Sequence, residues 1–153
     1  MDARLRPFRF SLEKVHNYRL TVEEHRKREL AGARRRQEEE EELLRLYMEE
    51  REAFQDRWAG GPEEASLGEF WQRDLYLQVL DARIHGQEER VVRAAAEVKE
   101  CRDLVREATR ERKVLDRLKA RKQAVHDYLA GREEQDRLDD MAVIAFNRRG
   151  REN

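Results

Sequence analysis

The sequence predicts an all-α fold, an antiparallel two-helix coiled-coil hairpin whose second helix is longer than its first. Three observations carry this expectation. Of 153 residues, 44% are charged and 39% hydrophobic, too little apolar material for a thick globular core but enough for a narrow stripe on solvated helices. Two prolines and seven glycines leave long stretches uninterrupted. The third is the stripe itself. Leu77, Leu80, Ile84, Gln87, Val91, Ala94, Val98, Cys101, Val105, Ala108, Arg112 and Leu115 follow one another at steps of three and four, which is a heptad seam. That regularity argues against a disordered chain of similar composition.

The elements follow in order. Residues 1–10 are basic and carry Pro7, Phe8 and Phe10; Pro7 disfavours helix at Arg6, so they read as an extended arm. Ser11 has the chemistry of an N-cap, and Glu13 suits the positive end of the helix dipole. Helix one is placed at 11–58. Its seam reads Leu12, Val15, Arg19, Val22 and Arg26, then takes a four-residue step to Leu30. It continues through Ala33, Gln37, Glu40, Leu44, Tyr47, Arg51, Phe54 and Trp58. That extra four is a stutter, which locally unwinds a supercoil. The charged run from Arg34 to Glu42 reads as a solvated stretch with poor packing, a partner-binding charge patch being the sharper alternative. Residues 59–66 form the turn, where Gly60, Gly61 and Pro62 end the helix. Ser66 and Glu69 have capping-box spacing for helix two, placed at 67–147, with a frayed tail at 148–153.

The two lengths differ. Helix one spans roughly 70 Å and helix two roughly 120 Å at 1.5 Å per residue. Folding back symmetrically about the turn puts residue i near roughly 125 − i for straight helices. On that register helix two outruns helix one after about Val114. Yet Leu115, Leu118, Val125 and Leu129 remain apolar at helical spacing, with a shortened step from Leu115 to Leu118 that shifts the stripe. Phe8 and Phe10 are expected to cover part of this overhang. Charge is also uneven there, with seven basic residues and two acidic ones from Arg110 to Lys122.

Several function classes are disfavoured. The formal net charge is −1, from 33 basic and 34 acidic residues, giving no general pull toward nucleic acid or anionic membrane. The single cysteine, Cys101, sits on the seam as a small core residue rather than a reactive thiol. No apolar run approaches the roughly 20 residues of a membrane span, and the N-terminus lacks the apolar core of a signal peptide. A soluble protein of a reducing cytosol is expected. There is no phosphate loop, Gly-x-Ser-x-Gly or paired-cysteine motif, and the four histidines are far apart. No catalysis, metal, cofactor or small-molecule substrate is expected. Arg110–Lys122 lacks interleaved stacking aromatics, so nucleic acid is not expected either.

Most aromatics lie near the turn: Tyr47, Phe54, Trp58, Phe70, Trp71 and Tyr76. Wedging the hairpin tip is their structural reading. Phe70 and Trp71 are neighbours about 100° apart on a helix, so at least one is expected to be exposed as a binding anchor.

The chain resembles the FliJ family of flagellar export proteins. Phe8-Arg9-Phe10-Ser11-Leu12-Glu13-Lys14-Val15 is similar to the family's entry, and Ser66 through Ile84 to its second-helix start. The stretch Glu111 to Arg121, Tyr128, Glu134 to Asp140, and Phe146-Asn147-Arg148-Arg149 are similar to its tail. The resemblance implies a stalk like that of a rotary ATPase, cytoplasmic and peripherally associated with the inner membrane at the flagellar base. It implies a non-enzymatic role, with the open end on the hexameric export ATPase and the hairpin side on the cytoplasmic part of the export gate. Export chaperones are further implied partners. By position, the ATPase-facing residues are Leu12, Val15, Arg19, Arg112, Leu115, Arg117, Leu118 and Arg121. The gate-facing ones are Tyr47, Phe70, Trp71, Tyr76 and Leu80. A stalk protein of a virulence-type secretion system and a self-associating structural coiled coil remain as alternatives.

Overall fold

The computed structural model describes residues 6–59 and 66–150. Two helices account for nearly all of them, α1 at Glu13–Ala59 and α2 at Leu67–Arg149, with no strand among the described residues. The helices pack against each other as an antiparallel pair, so the predicted fold class is the one observed. The turn residues Gly60, Gly61 and Pro62, the first five residues of the arm and Arg151 of the tail lie outside the described residues. The chain divides into two compact units, residues 1–22 with 109–153 and residues 23–108.

In the unit of residues 23–108, the α2 seam lies where its periodicity placed it. Leu80, Gln87, Ala94, Val98 and Ala108 are buried, and Leu77, Ile84, Val91, Cys101 and Val105 are half-buried between them. Ala33 and Leu80 have no exposed surface at all. The capping box at the start of α2 is formed. The Glu69 backbone N–H donates to Ser66 Oγ at 3.3 Å, and the Ser66 N–H donates to the Glu69 carboxylate at 2.8 Å. The charged run of α1 stays helical. Buried Gln87 donates to the Glu40 carbonyl at 3.0 Å and to the Glu40 carboxylate, while Arg36 pairs with Glu97 at 2.5 Å.

Three expectations are corrected. The first is the start of α1. Ser11 does not cap it; the helix begins two residues later, with the His16 N–H bonded to the Leu12 carbonyl at 2.8 Å. The Ser11 hydroxyl instead accepts a hydrogen bond from Lys122 at 3.3 Å. The second is the stutter. Residues 12, 16, 19, 23, 26, 30 and 33 form an unbroken heptad, continued by 37, 40, 44, 47, 51, 54 and 58, and none of these is exposed. The seam runs through His16 and Glu23, the latter only 3% exposed, while Val15 faces solvent at 43%. Apolar Val15 and Val22 lead a periodicity reading away from the polar residues that occupy the interface.

The third correction is the register. His16 meets Asp116, Glu13 meets Lys119 and Arg51 meets Asp81, each about two helical turns further along α2 than a symmetric fold-back places them. The fold-back is asymmetric because the first turn of α2 carries no packed neighbour: Leu67, Phe70 and Trp71 are 84%, 55% and 75% exposed. Helix one therefore reaches Lys119, not Val114, and the expected step to Leu118 is joined by a four-residue step to Lys119, since both residues are half-buried. The uncovered part of α2 begins later than expected, and every residue from 131 to 150 is exposed.

Candidate functional site

In the unit of residues 1–22 and 109–153, the arm is fastened to α2 by one aromatic residue. Phe10 is 7% exposed, with the His16 ring edge-on at 6.4 Å and the ammonium groups of Lys119 and Lys122 at 6.0 and 5.9 Å from its centroid. Phe8 packs edge-on against His126 at 5.6 Å, and His126 Nε2–H donates to the Arg6 carbonyl at 3.0 Å. The arm thus covers α2 as far as His126, as Phe8 and Phe10 promise.

Beneath the arm runs a polar ladder. His16 Nε2–H donates to Asp116 Oδ1 at 2.6 Å, Arg112 donates to Asp116 Oδ2 at 2.5 Å, Lys119 pairs with Glu13 at 3.0 Å, and Arg19 pairs with Glu111. The hydrogen bond from His16 holds the Asp116 carboxyl below its ordinary pKa. Partial burial opposes the shift and the Arg112 charge assists it. This ladder is invisible without the register, because its members lie about a hundred residues apart.

The residues placed at the open end by sequence therefore divide. Leu12, Leu115 and Leu118 are half-buried in the pairing, Arg19 is spent on Glu111, and Arg112 is tied to Asp116. Val15, Arg117 and Arg121 face solvent. Between the arm and α2 lies an open groove of about 430 Å³. Phe8, Val125 and Leu129 supply apolar surface to it, and Arg9 and Arg121 supply charge.

In the unit of residues 23–108, the hairpin-side candidates divide as well. Leu80 is a fully buried core residue with nothing to offer a partner. Tyr76 OH donates to Glu50 at 2.8 Å, and its ring lies 4.5 Å from that of Phe54. That hydrogen bond raises the Tyr76 hydroxyl pKa above its ordinary value, helped by partial burial and the Glu50 charge. Tyr47 lies under the Arg83 guanidinium at 5.5 Å. These tyrosines join the helices. Phe70 and Trp71 are both exposed, and with them Leu67, Leu75 at 58% and Val79 at 47%. Leu67, Trp71, Leu75 and Val79 recur at intervals of four and form one outward apolar face. The sequence reading took only the aromatics of that face; the four-residue spacing was its missed signal.

Among the described residues, no helix is long and apolar enough to cross a membrane. A family model described as "Flagellar FliJ protein" matches residues 8–151. Comparison with curated proteins and with solved structures gave no match.

Proposed function

The chain belongs to the FliJ family, a family of flagellar export proteins, and from that premise we propose that it is a non-enzymatic two-ended connector of the export apparatus. The match over residues 8–151 is the observation that carries this reading. One end binds the export ATPase ring through the exposed cations Arg117 and Arg121 with Val15. The other binds the cytoplasmic part of the export gate through Leu67, Phe70, Trp71 and Leu75. The protein works at the cytoplasmic face of the inner membrane, and its contribution is binding and mechanical coupling rather than bond chemistry. To bias the ATPase it must bind one state of the ring more tightly than another.

Arg117 and Arg121 are the informative positions, because reversing Arg112 would also break its bond to Asp116. The test adds purified chain to the purified export ATPase and reads hydrolysis and ring assembly. Wild type is expected to raise both, and Arg117→Glu with Arg121→Glu to lose the effect while keeping full helicity. Undiminished stimulation by the doubly reversed protein overturns the placement of the ATPase contact.

A further inference from the structure

The groove between the arm and α2 joins uncovered apolar surface to uncompensated positive charge. Val125 and Leu129, 59% and 53% exposed, stand four residues apart on one face of α2, and Phe8 lines the groove from the arm. Arg9, Arg121 and Lys122 line it too, and no carboxylate does. Asp127 lies instead beside His126 Nδ1, at 3.5 Å. Lys122 is already spent in part, since it donates to the Ser11 hydroxyl at 3.3 Å and lies against the Phe10 ring. Arg9 and Arg121 make no ion pair among the described residues. They differ in this from Arg112 and Lys119, which are held by Asp116 and Glu13.

We infer that this groove takes an acidic segment of a partner protein, one that carries a single bulky apolar side chain between its carboxylates. The apolar side chain lies on Phe8, Val125 and Leu129 and removes their surface from water. The flanking carboxylates accept charge-assisted hydrogen bonds from Arg9 and Arg121. A space of about 430 Å³ suits one such side chain with its neighbours rather than a broad docking face.

Two other anionic partners fit less well. A nucleic-acid phosphate backbone meets the cations but leaves Val125 and Leu129 uncovered. An anionic bilayer is a wide surface, and Glu133 to Asp140, with five acidic residues and one basic one, begins only four residues beyond Leu129 on the same helix. A bilayer laid over the groove meets that repulsion, whereas a short segment lying in the groove stops before it. The groove shares Arg121 with the proposed ATPase contact. The inference does not rest on that contact, and its experiment contains no ATPase.

The experiment is fluorescence anisotropy of a labelled short peptide, one leucine flanked on each side by two aspartates and blocked at both ends, titrated with the full chain. Binding is expected with a dissociation constant of about 100 µM or below, weakening as salt rises. The same peptide with serine for leucine, or with asparagines for the aspartates, is expected to bind at least fivefold more weakly. Arg9→Glu, Arg121→Glu and Leu129→Asp are each expected to weaken the parent peptide at least fivefold with helicity by circular dichroism unchanged, since all three side chains are exposed. Arg117→Glu, outside the groove, is expected to cost less than Arg121→Glu. No binding of the parent peptide overturns the inference, as do control peptides that bind equally well. Arg117→Glu acting as strongly as Arg121→Glu overturns it by reducing the site to a diffuse basic face. Binding of anionic vesicles, of an oligonucleotide or of a second copy of the chain, with none of the peptide, gives the groove another occupant and overturns it equally.

Discussion

His16 Nε2 and Asp116 Oδ1, one hundred residues apart in the chain, are joined by a 2.6 Å hydrogen bond that fixes the register of α1 on α2 at the open end. Because that bond lowers the Asp116 pKa, the stability it contributes is present above the ordinary carboxylate pKa, and it fades as pH falls through the lower folded value. Amide protection in residues 13–20, measured as exchange relative to an unstructured chain at the same pH, is expected to hold from pH 7 to about 5 and to fall below about pH 4. Asp116→Asn should show faster exchange at neutral pH and a smaller acid-induced change. An acid response of the variant equal to that of wild type removes Asp116 from the account.

Among the described residues, Leu80 is the largest fully buried side chain. Leu80→Ala is expected to cost about 2–5 kcal/mol, because the lost apolar transfer and the cavity add. In a pair only two helices thick, the gap lies close to water, so the lower part of that range is expected. Urea denaturation followed by circular dichroism measures it, and a midpoint unchanged from wild type contradicts the packing.

The capping box predicts a local effect. Ser66→Ala removes the oxygen that accepts the Glu69 N–H and is expected to cost about 1 kcal/mol. The loss should appear as faster amide exchange at residues 67–71 and leave residues beyond about 85 unaltered. Ser66→Asp, which keeps an accepting oxygen, should restore most of it.

The outward apolar face at the start of α2 separates binding from folding. Trp71→Ala with Leu75→Ala removes two exposed side chains and should move the melting temperature by no more than a degree or two, since surface changes stay within about 0.5 kcal/mol. Capture of the purified cytoplasmic part of the export gate should fall at least tenfold, as for the anchor residues of an interface. Leu80→Ala in the same assay is expected to act only through stability, and restoring the fold with an osmolyte should restore its binding.

Gln87 and Glu40 supply a prediction about specificity. Gln87→Leu replaces a buried amide with an apolar group of similar size, and the pair it breaks fixes register more than it adds stability. Spin labels at Glu42 and Arg90 should report one narrow distance in wild type and a broader distribution in the variant. A distribution as narrow as that of wild type would show that the other seam positions suffice.

The all-α pair, the α2 seam and the capping box at Ser66 are legible in the order of the residues. Each follows from local spacing: a stripe of Leu, Val and Ala at threes and fours, and a serine three residues before a glutamate. That order also places Phe8 and Phe10 on the α2 overhang, since an uncovered apolar stripe and two arm aromatics have few other places to go. The tertiary structure alone decided the register, and with it the chemistry of the open end. Polar His16, Glu23 and Lys119 hold interface positions because a narrow two-helix seam leaves their polar ends partners or water while burying the rest. Periodicity counts apolar residues, so it favours Val15 and Val22 over His16 and Glu23. Leu80 is buried on the seam that its spacing predicts, while the outward face at Leu67, Leu75 and Val79 is set by the pairing. Which side of a helix faces its partner depends on where the partner lies, and that is a property of the pair.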